Sequence, residues 1–395
     1  MITRIEAIKL IRDHTQTINP IDLPVQQTLG SVLAEPVYSR LDLPPFNKSA
    51  MDGYAVIENE SATELSVIGI IKAGDFIDFE LCPGQTVKIM TGARIPVSAG
   101  NVIIKEDVSI ISDEMIRVNH YRNKKNICYQ GEDVRKGDLI YQEGELVTPI
   151  VIANIISSGI SNVKAYKKPS IAIITTGDEL LEAGEAYQEG KIYNSNGPLL
   201  KGLLHDRGYF EVSVVKLPDD KDKIVLQLPE ILNSHDLIVF TGGISVGEYD
   251  FTKESLEAVG GKLVFHNIAM KPGKPVAFFT WGHKPVFALP GNPVSVFLSF
   301  YLFVLPVFRI MQGRKTVRQA FLSITLISDF IVKNNEREQF IPVYLNENNT
   351  IEAITFHGSG HLLALNTCNA FLIVPKGTQE LKAGQEVEVF MINNM

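Results

Sequence analysis

From Pro169 onward, short runs rich in β-branched residues alternate with longer amphipathic segments, and this alternation restricts the possible folds most. Ile171 to Ile174 reads as a buried strand, and Pro198 to Arg207 as a helix ended by Gly208. Phe210 to Lys216 reads as a strand, Lys221 to Leu232 as a helix, and Leu237 to Phe240 as a third strand. A chain that alternates in this way builds a parallel α/β sheet with right-handed crossovers. Val276 to Thr280 and Pro285 to Leu289, joined by Trp281-Gly282-His283-Lys284, read as a hairpin added to that sheet.

The third strand runs into Thr241-Gly242-Gly243-Ile244-Ser245-Val246-Gly247-Glu248-Tyr249-Asp250, and a helix is predicted from Phe251 to Val259. Strand, glycine loop and helix bring backbone N–H groups and a helix N-terminus to one point, which suits an anion. Three glycines let backbone approach a ligand, and Thr241 and Ser245 add hydroxyl donors. Asp250 stands where it either caps the helix or holds a cation beside a bound phosphate. A plain strand-to-helix turn also needs glycine, so the motif alone leaves both readings open.

Residues 1 to about 44 open with an amphipathic helix carrying Ile5, Ile8 and Ile11 behind a Thr3-x-x-Glu6 capping box, not with a signal peptide. The paired prolines Pro44-Pro45 mark a boundary. Short β-type runs then follow at Leu65 to Ile71, Thr86 to Met90 and Asn101 to Ile104, and an apolar helix is predicted over Pro149 to Ser158. After Gly313 the chain is strand-like again, from Phe321 to Met391. Val294 to Phe308 is nearly all apolar; it reads as a buried helix, shorter than a membrane span and interrupted by Pro306. The expected domains are 1–44 and 137–168 as two parts of a helical and extended linking domain, and 45–136 as a small β-rich domain. Residues 169–315 form the α/β domain and 316–395 a C-terminal all-β, barrel-like domain. A net charge of −8 argues against a general nucleic-acid binder. Cys82, Cys128 and Cys368 lack metal or redox spacing, which fits a reducing compartment.

In open α/β sheets, ligands bind beyond the carboxyl ends of the strands. Thr175-Thr176-Gly177-Asp178-Glu179 follows the first strand, Pro218-Asp219-Asp220 the second, and the glycine motif with Asp250 the third. Met270-Lys271-Pro272-Gly273-Lys274-Pro275 and Pro290-Gly291-Asn292-Pro293 come later. One predicted rim thus gathers carboxylates that suit Mg²⁺, and lysines and backbone N–H groups that suit phosphate or another oxyanion. Taken singly, Asp178 and Asp220 also suit helix caps, and Lys271 and Lys274 suit a solvated loop. No zincin helix, nucleophile elbow, C-x-x-C pair or P-loop competes with this set.

Several motifs resemble one family over essentially the whole chain. They are Pro44-Pro45-Phe46 through Ser49-Ala50-Met51-Asp52-Gly53-Tyr54-Ala55, Thr91-Gly92-Ala93, Gly131-Glu132-Asp133, Thr176-Gly177-Asp178-Glu179-Leu180 and Asn194-Ser195-Asn196. Pro96, Glu106-Asp107, the Gly242-Gly243-x-Ser245-x-Gly247 motif with Asp250, Lys271-Pro272-Gly273-Lys274-Pro275 and Pro290-Gly291-Asn292-Pro293 complete the set. The chain resembles the MoeA family of molybdopterin molybdenumtransferases, which includes the gephyrin E domain. The resemblance implies a cytoplasmic, homodimeric enzyme of molybdenum cofactor biosynthesis. Such an enzyme removes AMP from adenylylated molybdopterin and inserts molybdate, with Mg²⁺ as cofactor.

The resemblance also implies the site. The α/β domain binds the pterin nucleotide, with Glu179, Asp250 and Asp220 (or its neighbour Asp219) lining it and holding the metal. Lys271, Lys274, Arg337 and Ser359 join them, and Asp52, Thr91 and Asp133 come from a second subunit. Thr176, Gly177, Asp178, Thr241, Gly242, Gly243, Ser245, Gly247, Pro290, Gly291, Asn292 and Pro293 complete the binding loops. Two positions depart from the family pattern: Cys128 and Pro342 stand where arginines are usual, which leaves tungstate insertion open as an alternative. A molybdopterin-binding scaffold without turnover is the non-enzymatic alternative. No nucleic-acid or membrane partner is implied.

Overall fold

The computed structural model describes residues 1–243, 251–314, 321–332 and 336–392. The chain divides into two compact units: Met1–Ile21, Gly30–Ala34 and Ala165–Met395 in one, Asp22–Leu29 and Glu35–Lys164 in the other.

The first helix, α1 (Arg4–His14), belongs to the larger unit. Its capping box is complete, with the Thr3 hydroxyl accepting from Glu6 N–H and the Glu6 carboxylate accepting from Thr3 N–H. Ala7 and Ile11 are its buried stripe, whereas Ile5 is 70% exposed, so the apolar face is narrower than the isoleucine spacing predicts.

The smaller unit is built on β1 (Gly53–Val56), β2 (Glu64–Ile71), β3 (Gln85–Ile89), β4 (Asn101–Ile104), β5 (Val108–Ser112) and β6 (Met115–Val118). Their order in the sheet is β4-β1-β3-β2-β6-β5. β1 is paired on both sides and packed on both faces, so all four of its residues are buried. Helix α2 (Pro149–Ser157) starts on a Thr148 cap with Pro149 in its first turn, a position that needs no N–H.

The larger unit holds β7 (Ile171–Thr176), α3 (Asn196–Asp206), β8 (Val212–Leu217), α4 (Lys221–Ser234), β9 (Leu237–Thr241) and α5 (Phe251–Ala258). It continues with β10 (Lys262–His266), β11 (Met270–Lys271), β12 (Ala277–Trp281) and β13 (Lys284–Leu289). The sheet order is β8-β7-β9-β13-β12-β10, and β8, β7, β9 and β13 are parallel. The expected hairpin is present, but its second strand lies inside the parallel core beside β9. Apolar side chains cover both faces: Ile171, Phe278 and Phe287 on one, Ile174, Phe240 and Phe279 on the other.

The apolar run that follows is one helical stretch, Pro293–Met311, of 19 residues. It comprises α6 (Pro293–Ser299), a π-helical turn over Phe300–Val304 and α7 (Leu305–Met311). Pro306 does not end it. Proline removes one donor, and the preceding turn widens until Leu305 N–H reaches the Phe300 carbonyl. By length and composition the helix is apolar enough to cross a membrane, yet 89% of its most apolar window is buried in the fold. It is apolar nearly all round because protein covers most of its surface. Phe297, Phe300 and Tyr301 share one core with Phe278 of the α/β sheet and with Phe371 and Phe390 of the last sheet.

That last sheet contains β14 (Phe321–Thr325), β15 (Glu338–Leu345), β16 (Ile351–Ala353), β17 (Ala370–Val374) and β18 (Glu386–Met391). Its order is β11-β15-β17-β18-β14, so the two residues Met270–Lys271 form an added edge strand parallel to β15. Arg4 also reaches β15, with a 3.0 Å ion pair to Glu338 and its guanidinium over Phe321 and Phe340.

Phe287 is fully buried with its ring 4.9 Å from that of Phe278. Phe287→Ala is expected to destabilise the larger unit by about 3–5 kcal/mol. Urea unfolding followed by fluorescence of Trp281, the one tryptophan in the chain, measures this directly.

Candidate active site

The parallel register aligns the strand ends. Thr175 pairs with Thr241, Thr241 with Leu289, and Thr176 with Leu217. The loops after β7, β8, β9 and β13 therefore leave from one rim. The chain order reverses between β7 and β9, the switch point where such sheets open a crevice.

Gly242 and Gly243 leave β9 at this switch point with φ of 91° and 58°. A Cβ on Gly242 would stand 2.4 Å from the Thr176 carbonyl, and one on Gly243 would meet the Thr252 and Thr176 hydroxyls at 2.7 and 2.8 Å. Both positions need glycine for the left-handed backbone and for space. Ser245, Gly247 and Asp250 lie outside the described residues. Asn196, at the start of α3, closes the crevice floor: its amide donates to Thr241 Oγ1 at 2.9 Å and to the Gly291 carbonyl at 2.7 Å. Its Oδ1, like the hydroxyls of Thr252 and Ser255, is buried without a partner among the described residues. Unsatisfied polar atoms are costly in an interior and common where a ligand or water completes the set. Asn194-Ser195-Asn196 was legible as a motif, but its role as a bridge between two loops was not.

The carboxylates stand on the β7 and β8 loops. Asp178 and Asp219 exchange hydrogen bonds, each carboxylate accepting from the other's backbone N–H at 3.3 Å. Burial holds the Asp219 carboxyl above the usual range, and the nearby charges of Asp178 and Glu179 push the same way. Glu179 folds back over Gly177, its carboxylate oxygens 2.8 and 2.9 Å from where a Cβ would sit. Asp220 behaves differently. Its side chain caps α4, accepting from Lys223 N–H at 3.2 Å, and that bond lowers its carboxyl below the usual range. Of the neighbouring pair, Asp219 faces the other carboxylates and Asp220 serves the helix.

These side chains offer only oxygen, the donor chemistry of a hard cation such as Mg²⁺. Among the described residues no three His, Cys, Asp or Glu side chains are grouped to hold an ion by themselves. Mg²⁺ takes one or two carboxylates together with waters and substrate phosphates, so the Asp178–Glu179–Asp219 group fits it.

The basic residues come from the shared edge with the last sheet. Lys271 is exposed on β11, Lys274 is half-buried, and Gly273 packs between the Met270 side chain and Ser299 of α6. Arg337 donates to the Met270 carbonyl at 3.2 Å, beside Lys271. Ser359 accepts from Val294 N–H at 3.1 Å, just beyond Pro290-Gly291-Asn292-Pro293. Pro342 is buried in β15 opposite Phe371, so an arginine there would bring a charge into the core.

In the smaller unit Asp52 accepts from Thr91 twice, from N–H at 2.8 Å and from the hydroxyl at 2.7 Å. Those bonds, with Lys105 3.6 Å away, hold its carboxyl below the usual range. Asp133 is exposed, its N–H on the Leu43 carbonyl. Cys128 pairs with Lys48 across two short strands. Burial, then Glu132, pushes its thiol above the ordinary value.

A family model described as a probable molybdopterin binding domain matches residues 172–310. Models of the MoeA N-terminal region (domain I and II) and the MoeA C-terminal region (domain IV) match residues 2–159 and 327–392. The chain is 33% identical over 397 residues to the molybdopterin molybdenumtransferase of Staphylococcus aureus (strain MRSA252), covering 98% of this chain and 94% of that protein. The enzyme of the same name from Staphylococcus epidermidis (strain ATCC 12228) is 32% identical with the same coverage. A crystal structure of the molybdopterin biosynthesis MoeA protein from Pyrococcus horikoshii superposes with a TM-score of 0.78 at 32% identity, over 99% of this chain and 100% of that one.

The three thiols differ enough to test these environments. Cys82 is exposed, Cys128 half-buried and Cys368 buried, with burial pushing the last up to about 11 from an ordinary 9.0. Iodoacetamide at pH 8 is expected to label Cys82 first, Cys128 more slowly and Cys368 only after unfolding, as read by peptide mass spectrometry. The raised Cys368 value means that the unfolded chain loses this proton first. Stability is therefore unaffected by this group below pH 9 and falls between pH 9 and 11, by about 2–3 kcal/mol.

Proposed function

The chain belongs to the MoeA family of molybdopterin molybdenumtransferases, and from that premise we propose that it inserts molybdate into adenylylated molybdopterin with release of AMP. The observation that carries this reading is the rim itself. Carboxylates from two parallel-strand loops, a glycine turn with no space for a Cβ, and an edge carrying Lys271 and Arg337 all occur in one unit.

Release of AMP breaks a phosphoanhydride, a reaction governed by positioning and charge stabilisation rather than by a protein nucleophile. Glu179, Asp219 and Asp250 would hold Mg²⁺, which when bound neutralises charge on the phosphates. Asp220 is left out of this set because its carboxylate is engaged by Lys223. Gly242 and Gly243 let the nucleotide approach the backbone. Lys271, Lys274, Arg337 and the Ser359 hydroxyl receive molybdate, with Arg337 offering planar donors and the lysines mobile point charges. With Pro342 in the core and Cys128 uncharged, oxyanion recognition rests on these residues.

We further propose a cytoplasmic homodimer in which Asp52, Thr91 and Asp133 of a second copy complete each site. A tungstate-inserting enzyme is distinguished by titrating both oxyanions. A scaffold is distinguished by binding without turnover.

Glu179→Ala and Asp219→Ala are each expected to lower AMP release at least 100-fold while leaving thermal stability within a few degrees, since both carboxylates lie at a loop rim. Turnover at the parent's rate in either variant would remove that carboxylate from the mechanism. Mixing inactive Asp52→Ala with inactive Glu179→Ala is expected to restore about a quarter of the parent's activity. Half the dimers are then mixed, and each has one intact site. No recovery after verified subunit exchange counts against sites shared between copies.

A further inference from the structure

The turn that presents the carboxylates is held from outside. Leu180 N–H reaches the Gly177 carbonyl at 3.1 Å and closes the turn. The Lys191 ammonium donates to the Asp178 carbonyl, and the Lys216 ammonium to the Leu180 carbonyl at 2.6 Å. Ile192 N–H donates to the Glu179 carbonyl at 2.9 Å, so three successive carbonyls of the turn are engaged. Ile192 also pairs with Leu180, which fixes Lys191 next to the turn it grips. Asp178, Glu179 and Asp219 bring three like charges together here. Such a group spreads apart unless cations or hydrogen bonds hold it, and a charge-assisted bond to a carbonyl does both.

We propose that Lys191 is a positioning residue for the reaction inferred above. Its ammonium holds the Gly177–Leu180 turn so that Asp178 and Glu179 face the ligand, and it offsets their mutual repulsion before a ligand arrives. Among the described residues Lys191 touches the backbone of the turn and no carboxylate, so it acts through Glu179. This rests on the reading of the rim as the nucleotide site.

Lys191→Met keeps the length of the side chain and removes the donor and the charge. It is expected to weaken AMP binding, measured by calorimetry, at least fivefold. It is also expected to lower kcat for AMP release at least tenfold, with the thermal midpoint within two degrees of the parent. Lys191→Arg restores a cationic donor and is expected to recover both quantities to within threefold of the parent. A merely structural role would lower the midpoint and leave AMP affinity in the folded fraction unchanged. Lys191→Gln, with a neutral donor of shorter reach, serves if the Met variant does not fold, and a loss of at least threefold is expected. Parent-like AMP affinity and kcat in the Met or Gln variant overturn the proposal, as does an Arg variant no better than Met. Should the parent bind AMP but release none from adenylylated molybdopterin, the proposed function fails on its own, and the affinity ratios still decide the role of Lys191.

Discussion

The hydrogen-bond register of four parallel strands is the constraint on which the rest depends. Because Thr175, Thr241 and Leu289 stand at one level, the loops that follow β7, β9 and β13 leave together. A shift of one residue in any strand would reverse its faces and displace its loop by about 3.3 Å. The buried phenylalanines on both faces of the sheet resist such a shift. The core thus places Gly242, Asp178 and Asp219 without touching them.

The second organising element is the helix from Pro293 to Met311. Its first turn begins at the Pro290–Pro293 loop on the rim, and its sides carry the core shared with the last sheet. That shared core brings residues distant in the chain together. Ser359 meets Val294, Gly273 meets Ser299, and Arg337 meets Met270. A helix with a broad polar face could not occupy this place, since nearly all of it is buried.

Charge is distributed in keeping with this frame. Carboxylates collect on the β7 and β8 loops, where like charges and burial raise Asp219. Cations sit on the edge formed by β11 and β15, where Lys271 is exposed and Arg337 is anchored on a carbonyl. Under the proposed function the first group suits a nucleotide phosphate beside a hard cation, and the second an incoming oxyanion. The two departures from the family pattern divide by environment. Pro342 belongs to the packing of β15, whereas Cys128 lies half-buried near Lys48 and Glu132.

What the amino-acid order determined alone was everything decided by near neighbours. The capping box at Thr3, the strand runs from Ile171 and Leu237, the glycines after β9 and the apolar run after Pro293 were all legible, because propensity, caps and backbone sterics act over a few residues. The alternation of strands and helices was enough to place the candidate loops on one rim, since parallel connections have one hand. The tertiary structure alone decided which of two adjacent aspartates joins the carboxylate group on the rim. Asp219 and Asp220 differ by one step at a helix start, and only the direction of α4 assigns one to the cap and the other to the carboxylate group. It alone buried Pro342, added Met270–Lys271 to a sheet nearly seventy residues later in the chain, and brought Lys191 to the Asp178 carbonyl. Each of these depends on contacts whose partners are set by packing, a sum over the whole core that no local stretch of sequence contains.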